Sequence, residues 1–246
     1  MTSDEFELKV FKCRGVKTPT KAWDAAGWDF YIPEDLSIFD FAESYKAYLD
    51  DSVAYDRSLV YHIPLVFCMK SARTVGEFRA QLVLKWNEAT GEWAFGVIDF
   101  SAKSEGALVD FSEVDSRIMK WLTEDGTVVS RIEILPHASV NIPSGVHVNL
   151  PEGVFLQAAN KSGIGSKRRL SFLAEVIDCD YEGQIHLNLI NLSELTVTVR
   201  AGEKIIQMLP MFQPKMREAR EYGSLEDLYR GKKSGRGAGG FGSSGV

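Results

Sequence analysis

The end of the chain combines glycines with groups that bind phosphate and a nucleobase. Residues 236–246 read Arg-Gly-Ala-Gly-Gly-Phe-Gly-Ser-Ser-Gly-Val. Glycine leaves backbone amides free to turn toward an oxyanion, arginine can bind phosphate through two parallel N–H groups, and an aromatic ring can stack on a base. These residues predict a mobile phosphate-binding arm, and a flexible linker is the alternative for the segment taken alone.

Four other segments carry polar groups suited to a nucleotide site. In chain order they are residues 26–30 (Ala-Gly-Trp-Asp-Phe), 161–167 (Lys-Ser-Gly-Ile-Gly-Ser-Lys), 176–183 (Val-Ile-Asp-Cys-Asp-Tyr-Glu-Gly) and 201–207 (Ala-Gly-Glu-Lys-Ile-Ile-Gln). A nucleotide site needs cations and hydrogen-bond donors for the phosphate oxygens and a pocket for the base. Each segment offers one or more of these groups.

The elements that must position these groups are mostly strands. Short apolar or alternating runs, separated by Pro, Gly or Asn, occupy residues 5–10, 132–135, 146–150, 153–157, 184–190 and 195–199. Many short strands at near-regular spacing predict a β-sandwich or a β-barrel.

The order and spacing of the five segments resemble the five motifs of the homotrimeric dUTPase family (deoxyuridine 5′-triphosphate nucleotidohydrolase), with a large insert after the first motif. The resemblance covers residues 1–40 and 127–246. It implies an all-β fold, a distorted antiparallel jelly-roll (β-clip) that forms a homotrimer. We therefore expect a discontinuous β domain of residues 1–40 and 127–230, an inserted small α+β unit of residues 41–126 and a flexible glycine-rich C-terminal arm of residues 231–246.

The insert shows both helical and strand patterns. Apolar spacing predicts helices over Phe41–Leu49 and Val109–Leu122. Leu82–Trp86 and Trp93–Phe100 predict a β-hairpin joined by the polar residues 87–92. The many aromatic residues predict a packed core, and a surface for a protein partner is the alternative. We expect the insert to protrude as a self-contained unit at a loop.

The resemblance implies a catalytic role for three residues. Asp178 would activate the attacking water, Ser162 would stabilise the leaving pyrophosphate, and Arg236 of the arm would clamp the γ-phosphate. From the residues alone, Asp178 and Asp180 could instead be turn residues.

The resemblance also implies a set of substrate contacts. Lys161 stands where the family usually has arginine and would supply charge without a bidentate fork. Gly163 would keep the backbone close to the phosphates, Gln207 would bond phosphate oxygens, and Tyr181 would pack on the deoxyribose and exclude a 2′-hydroxyl. The arm would add phosphate and base contacts from Gly239, Gly240, Phe241, Gly242, Ser243 and Ser244.

Base selection and metal binding complete the expected site. A hairpin near Phe172, Leu173 and Glu175 would present backbone groups to uracil, although the family commonly has glycine where Glu175 stands. Asp29 would help to hold the water shell of a Mg²⁺ ion that is bound mainly by phosphates and waters.

Three functions compete at this stage. The first is a Mg²⁺-dependent dUTP diphosphatase. The second is a dCTP deaminase-like or modified-pyrimidine triphosphate hydrolase; by our alignment Asn188 occupies the position of the deaminase's glutamate, and an amide cannot serve as a base. The third is a regulatory role in which the insert binds a protein partner.

Composition narrows the functional classes. The formal net charge of −6 argues against general nucleic-acid binding, which needs a basic surface. Three widely spaced cysteines fit reduced thiols better than disulfides or a zinc site. No apolar run approaches a membrane span, and the acidic N-terminal sequence lacks a signal-peptide pattern. We expect a cytoplasmic protein that does not bind membranes.

Overall fold

The computed structural model of the chain describes residues 7–42, 45, 56–70, 77–99, 108–110, 127–213 and 218–233. The chain divides into two compact units, Met1–Gln213 and Pro214–Val246. In the first unit, fifteen strands and the helix Ser162–Arg168 are described in full, residues 39–42 and 45 are also helical, and every strand pairing is antiparallel. The all-β class that the sequence predicts is therefore confirmed.

The strands are named β1 to β15 in chain order. They are Lys9–Lys12, Trp28–Tyr31, Val60–Lys70, Phe78–Asn87, Glu92–Asp99, Leu108–Asp110, Val128–Ile134, Ser139–Pro143, Val146–Asn149, Val154–Asn160, Leu170–Phe172, Val176–Ile177, His186–Asn191, Val197–Arg200 and Lys204–Phe212. The helix α1, Ser162–Arg168, lies between β10 and β11. They form sheets in the orders β14-β7-β3-β4-β5-β6, β12-β10-β15-β2, β11-β13-β8 and β1-β9.

The six-stranded sheet joins the expected insert to the expected β domain. Strand β3 pairs with β7 through contacts such as Phe67 opposite Ile132, and β7 pairs with β14. One hydrophobic core contains Phe41, Phe67 and Leu82 together with Ile134 and Leu187. The division into domains remains a prediction, but the described part of residues 41–126 is not the protruding, self-contained unit that we expected. Its strands extend a shared sheet because they bury one apolar face against the rest of the molecule.

The predicted elements of the insert have different outcomes. The hairpin is observed as β4 and β5, with Gly91 at φ +71° in the connection. The first predicted helix is represented by residues 39–42 and 45, and the rest of it lies outside the described residues. The predicted start of the second helix, Val109–Leu122, is wrong, because Val109 belongs to strand β6 and pairs with Val97. Its later residues are not described. Strand β3, for which we made no prediction, is the longest strand of the sheet.

The main chains at the start of β2 and in β15 approach each other closely at Gly27. Gly27 directly precedes β2, and a β-carbon there would collide with the main-chain oxygen of Met208 in β15. Glycine at this position therefore lets β2 lie against β15.

The second unit is described only over residues 218–233. It contains a short helix, α2 (Leu225–Leu228), whose N-terminus is capped by Ser224 because its hydroxyl accepts a hydrogen bond from the amide of Asp227 at 3.1 Å. Among the described residues of the whole chain, no helix is long and apolar enough to cross a membrane.

The shared core predicts that the insert contributes to global stability. Phe67 is fully buried and its ring centroid lies 4.8 Å from that of Phe41. We expect Phe67→Ala to lower the free energy of unfolding of the whole protein by about 3–5 kcal/mol because it leaves a cavity. Phe67→Leu, which keeps most of the buried volume, should cost much less. A single unfolding transition, followed by tryptophan fluorescence and far-UV circular dichroism, checks this; an unchanged transition in Phe67→Ala would contradict a shared core.

Candidate functional site

Four of the five sequence segments meet on the four-stranded sheet. Asp29 lies on β2, residues 204–207 begin β15, Lys161 follows the end of β10, and Asp178 follows β12. In the register of the sheet, Gln207 is directly opposite Asp29 on one side and Ala159 on the other. Because paired residues project from the same face of a sheet, Asp29 and Gln207 share one face.

The carboxylate of Asp29 binds two ammonium groups. Lys161 Nζ donates to one oxygen, Oδ1, and Lys204 Nζ donates to the other, Oδ2, at 3.0 Å. The side chain of Asp29 is only 17% exposed, whereas that of Lys204 is 50% exposed. Partial burial alone would raise the pKa of Asp29, but the hydrogen bonds from Lys161 and Lys204 outweigh it and leave the pKa below its ordinary value. Two positive charges thus surround one negative charge, and the cluster has a net charge of +1.

A β-bulge brings Lys204 to the same face as Gln207. Strict alternation would place residues three apart on opposite faces. The pairing of β15 with β2 shifts register between Lys204 and Ile206, and both Ile205 and Ile206 are buried. The extra residue turns Lys204 toward Asp29. From the sequence we expected Lys204 only to belong to the turn that leads into this strand; strict alternation along β15 would turn its side chain away from Asp29.

Helix α1 places Lys161, Ser162 and Gly163 beside this cluster. Lys161 is the residue before the first helical turn and has extended backbone angles. Ser162 and Gly163 are exposed, and a β-carbon on Gly163 would meet nothing within 4 Å. The amides of Ile164 and Gly165 donate to the carbonyl of Lys161 at 2.9 Å. The N–H donors that this end of α1 can offer to a ligand next to the two lysines are therefore those of Ser162 and Gly163.

The far end of α1 is tied to the turn before β15. Arg168 donates to a carboxylate oxygen of Glu203 and to the main-chain oxygen of Thr198. The Glu203 carboxylate also accepts a hydrogen bond from the amide of Arg200 at 2.9 Å. The main-chain carbonyl of Glu203 accepts one from the amide of Ile32 at 3.0 Å. These bonds fix the helix, the turn and β2 relative to one another, and with them the positions of both lysines.

Asp178 and Tyr181 lie on a loop at the opposite edge of the sheet. Asp178 is exposed, and its carbonyl accepts a hydrogen bond from the amide of Tyr181 at 3.3 Å. The Tyr181 hydroxyl donates to the carbonyl of Gln184 at 2.8 Å, and the side chain packs so closely over Gly183 that a β-carbon there would collide with it. Tyr181 is 41% exposed and presents its ring to solvent.

Within one chain, Asp178 is far from the lysine cluster. Ile177, which precedes Asp178, pairs with Leu156, whereas Asp29 lies in the same row as Ala159. Along the strand direction, the row of Ile177 and the row of Asp29 are three residues apart, which is about 10 Å. Across the sheet, β12 and β2 are separated by three strand spacings, which is about 14 Å. Asp178 therefore cannot act on a phosphate held by Lys161 and Gln207 of the same chain.

The segment that we expected to form the uracil hairpin instead connects two sheets. Phe172 ends β11, which pairs with β13, while β12 pairs with β10. The connecting residues 173–175 are exposed, and the carbonyl of Glu175 accepts a hydrogen bond from Ala158 at 2.6 Å. Phe172 is buried, whereas Leu173 is 54% exposed.

Asn188 lies opposite Asn141 in the pairing of β13 with β8. The arm residues from Arg236 to Ser244 lie outside the described residues.

Asp29 is the residue that we expected to help to hold a metal ion through water. In the described part of the chain, no group of three or more His, Cys, Asp or Glu side chains could hold a metal ion. Asp29 is bound to two lysines but remains partly exposed. Its remaining lone pairs can accept hydrogen bonds from metal-bound waters, as Mg²⁺ favours.

Comparison with known proteins gives consistent matches. The family model for dUTPase matches residues 127–245. A deoxyuridine 5′-triphosphate nucleotidohydrolase of Hydrogenobaculum sp. is 34% identical over 119 residues, which is 47% of this chain and 76% of the relative. The enzyme of the same name from Chlamydia trachomatis serovar L2 is 34% identical over 116 residues, 46% of this chain and 76% of the relative.

Among solved structures, a mutant dUTPase of Staphylococcus bacteriophage 80alpha with dUpNHpp is 24% identical, with a TM-score of 0.37, over 48% of this chain and 82% of that chain. The sequence matches extend over about three quarters of the relatives. The family-model match includes residues 161–167, 176–183 and 201–207 but not residues 26–30. From these sequence matches we conclude that the chain belongs to the dUTPase family.

Proposed function

We propose that this protein is a Mg²⁺-dependent dUTP diphosphatase that hydrolyses dUTP to dUMP and pyrophosphate, lowering dUTP and supplying dUMP for thymidylate synthesis. The observation that supports this most strongly is the cluster of Asp29, Lys161, Lys204 and Gln207 beside the exposed start of α1. Its surplus positive charge and free donors suit a triphosphate.

The phosphate end of the substrate binds at this cluster. Lys161 and Gln207 contact phosphate oxygens, Ser162 donates its hydroxyl to the bridging oxygen that leaves with pyrophosphate, and Gly163 lets the chain approach closely. Asp29 would help to hold a Mg²⁺ ion by accepting hydrogen bonds from its bound waters. When bound, the ion supplies positive charge that neutralises the phosphate oxygens.

The attacking water is activated by Asp178 of a neighbouring subunit. Asp178 accepts a proton from the water as its oxygen bonds to the α-phosphorus, and the bond to the bridging oxygen breaks. The separation of Asp178 from Asp29 across the sheet supports this arrangement, because one chain cannot bring both groups to one nucleotide. A homotrimer closes such a site three times by symmetry.

The nucleoside end binds beside Asp178. The Tyr181 ring packs on the deoxyribose and leaves no room for a 2′-hydroxyl, which is supported by its exposed position over Gly183. Leu173 and Glu175, both exposed on the connection before β12, border the base, while Phe172 supports this connection from the core. The arm then closes over the nucleotide: Arg236 contacts the γ-phosphate and Phe241 stacks on the base.

The substrate is tested by pyrophosphate release from a panel of deoxynucleoside triphosphates, with UTP as the control for sugar selection. We expect dUTP to give the highest kcat/KM and UTP to be a poor substrate because Tyr181 excludes the 2′-hydroxyl. A higher kcat/KM for another deoxynucleoside triphosphate would contradict the proposed base selection, and equal rates with UTP would contradict the role of Tyr181.

The role of Asp178 is tested by Asp178→Asn. The amide keeps the shape of the side chain but cannot accept the proton, so turnover should fall by roughly 10²–10⁴-fold or more while affinity for a non-hydrolysable dUTP analogue stays nearly unchanged. Asp180→Asn is the matched control, since Asp180 is also an exposed carboxylate and lies two residues away. Loss of binding together with turnover in Asp178→Asn would indicate a structural role instead.

The role of the arm is tested by truncation after Ser234. An arginine delivered to a transferring phosphoryl group can raise rates by roughly 10³–10⁵-fold in other enzymes, so turnover should fall much more than substrate affinity. Arg236→Ala should reproduce most of this loss in the full-length protein. Full activity of the truncated protein would show that the arm does not complete the site.

A further inference from the structure

Lys204 adds positive charge to the cluster, but the proposed mechanism assigns it no direct contact with the substrate. It begins β15, its side chain is half exposed, and its ammonium group lies 5.7 Å from the centroid of the Tyr31 ring. An ammonium group has three N–H donors. Asp29 Oδ2 accepts one of them at 3.0 Å, and the side chain of Tyr31 is a second hydrogen-bond partner. Lys204 can therefore donate its third N–H to a ligand without leaving Asp29.

The backbone around Lys204 is fixed in place. The turn before β15 has Gly202 at φ +74°, and the Gly202 amide donates to the carbonyl of Ile32 at 2.8 Å. Glu203 is bound by Arg168 of α1. The position of Lys204 is therefore set by its fold and by Asp29, so that less conformational entropy is lost when it binds a ligand.

The charges in the cluster also favour an anion. Lys161 and Lys204 approach the two oxygens of the same carboxylate from different elements, the end of β10 and the start of β15. Asp29 offsets one of the two positive charges and keeps the ammonium groups close together despite their mutual repulsion. A polyphosphate, with several negative oxygens spaced along a chain, can accept hydrogen bonds from both.

We infer that Lys204 is a second polyphosphate-binding residue of this site, and that Asp29 is a positioning residue that holds Lys161 and Lys204 as a pair toward the β and γ phosphoryl oxygens of the nucleotide. This inference rests on the proposed function for the location of the nucleotide. Two point charges from two elements then provide the two contacts that a single guanidinium fork would make.

The experiment measures binding of inorganic tripolyphosphate and of a non-hydrolysable dUTP analogue by titration calorimetry. Lys204→Gln removes the charge, and we expect the Kd for both ligands to rise about tenfold or more, as the loss of a charge-assisted hydrogen bond predicts. The Kd for dUMP, which has no β or γ phosphoryl group, should change less than about twofold. Lys204→Arg, which keeps the charge, should restore most of the affinity.

Lys17→Gln is the matched control. The Lys17 ammonium also lies 5.7 Å from the Tyr31 centroid and its side chain is 58% exposed, but it pairs with Glu34 at 3.6 Å rather than with Asp29. The Lys17→Gln variant should bind tripolyphosphate and the dUTP analogue with the same Kd as the wild type. Asp29→Asn should weaken tripolyphosphate binding although it removes a negative charge, because the two lysines lose their common anchor; tighter binding would overturn the positioning role.

The outcomes separate this inference from the proposed function. Unchanged binding of tripolyphosphate in Lys204→Gln would overturn the role of Lys204, whatever the preferred base. If the wild type prefers another deoxynucleoside triphosphate, the proposed substrate is wrong while the tripolyphosphate comparison still decides for or against Lys204. If the wild type binds neither tripolyphosphate nor any nucleoside triphosphate, both proposals fail.

Discussion

The partly buried carboxylate of Asp29 is the interaction on which the site depends. A charged group that loses contact with water is costly unless it is paired, and Asp29 is paired with a lysine on each oxygen. Those lysines come from different elements, the junction of β10 with α1 and the start of β15. One carboxylate thereby joins three segments that are distant in the sequence. The same pairing leaves a net positive charge next to the exposed start of α1, where a polyphosphate chain can bind.

The order of the four-stranded sheet separates Asp178 from Asp29 within a single chain. Its order, β12-β10-β15-β2, places Asp178 at one edge and Asp29 at the other. In the proposed function, the phosphate-binding groups and the water-activating carboxylate therefore belong to separate half-sites on each chain. Association of identical chains would join the two halves, so the proposed chemistry requires assembly. The six-stranded sheet, built largely from residues 60–99, shares one hydrophobic core with the four-stranded sheet.

The sequence predicted the strand-rich fold, the β4–β5 hairpin and the segments that converge on the sheet, because alternation, turn glycines and motif order are local signals. It did not predict the role of Lys204, since a β-bulge at Ile205 reverses the face that alternation assigns. It also did not predict that β3 would pair with β7, because pairing between distant strands depends on the whole sheet. The connection at residues 173–175 was expected to be a hairpin, but its flanking strands pair in different sheets, which no local pattern encodes.

The central claim, that one nucleotide is served by residues of different subunits, is tested most directly by subunit complementation. Asp178→Asn and Ser162→Ala are each expected to be nearly inactive as pure proteins. Refolding the two variants together produces mixed assemblies in which an intact Asp178 of one chain faces an intact Ser162 of another. The account predicts that the mixture recovers a substantial fraction of wild-type dUTP hydrolysis. Mixed assemblies that form but remain as inactive as the separate variants would contradict it, because a site within one chain can never combine the two intact residues.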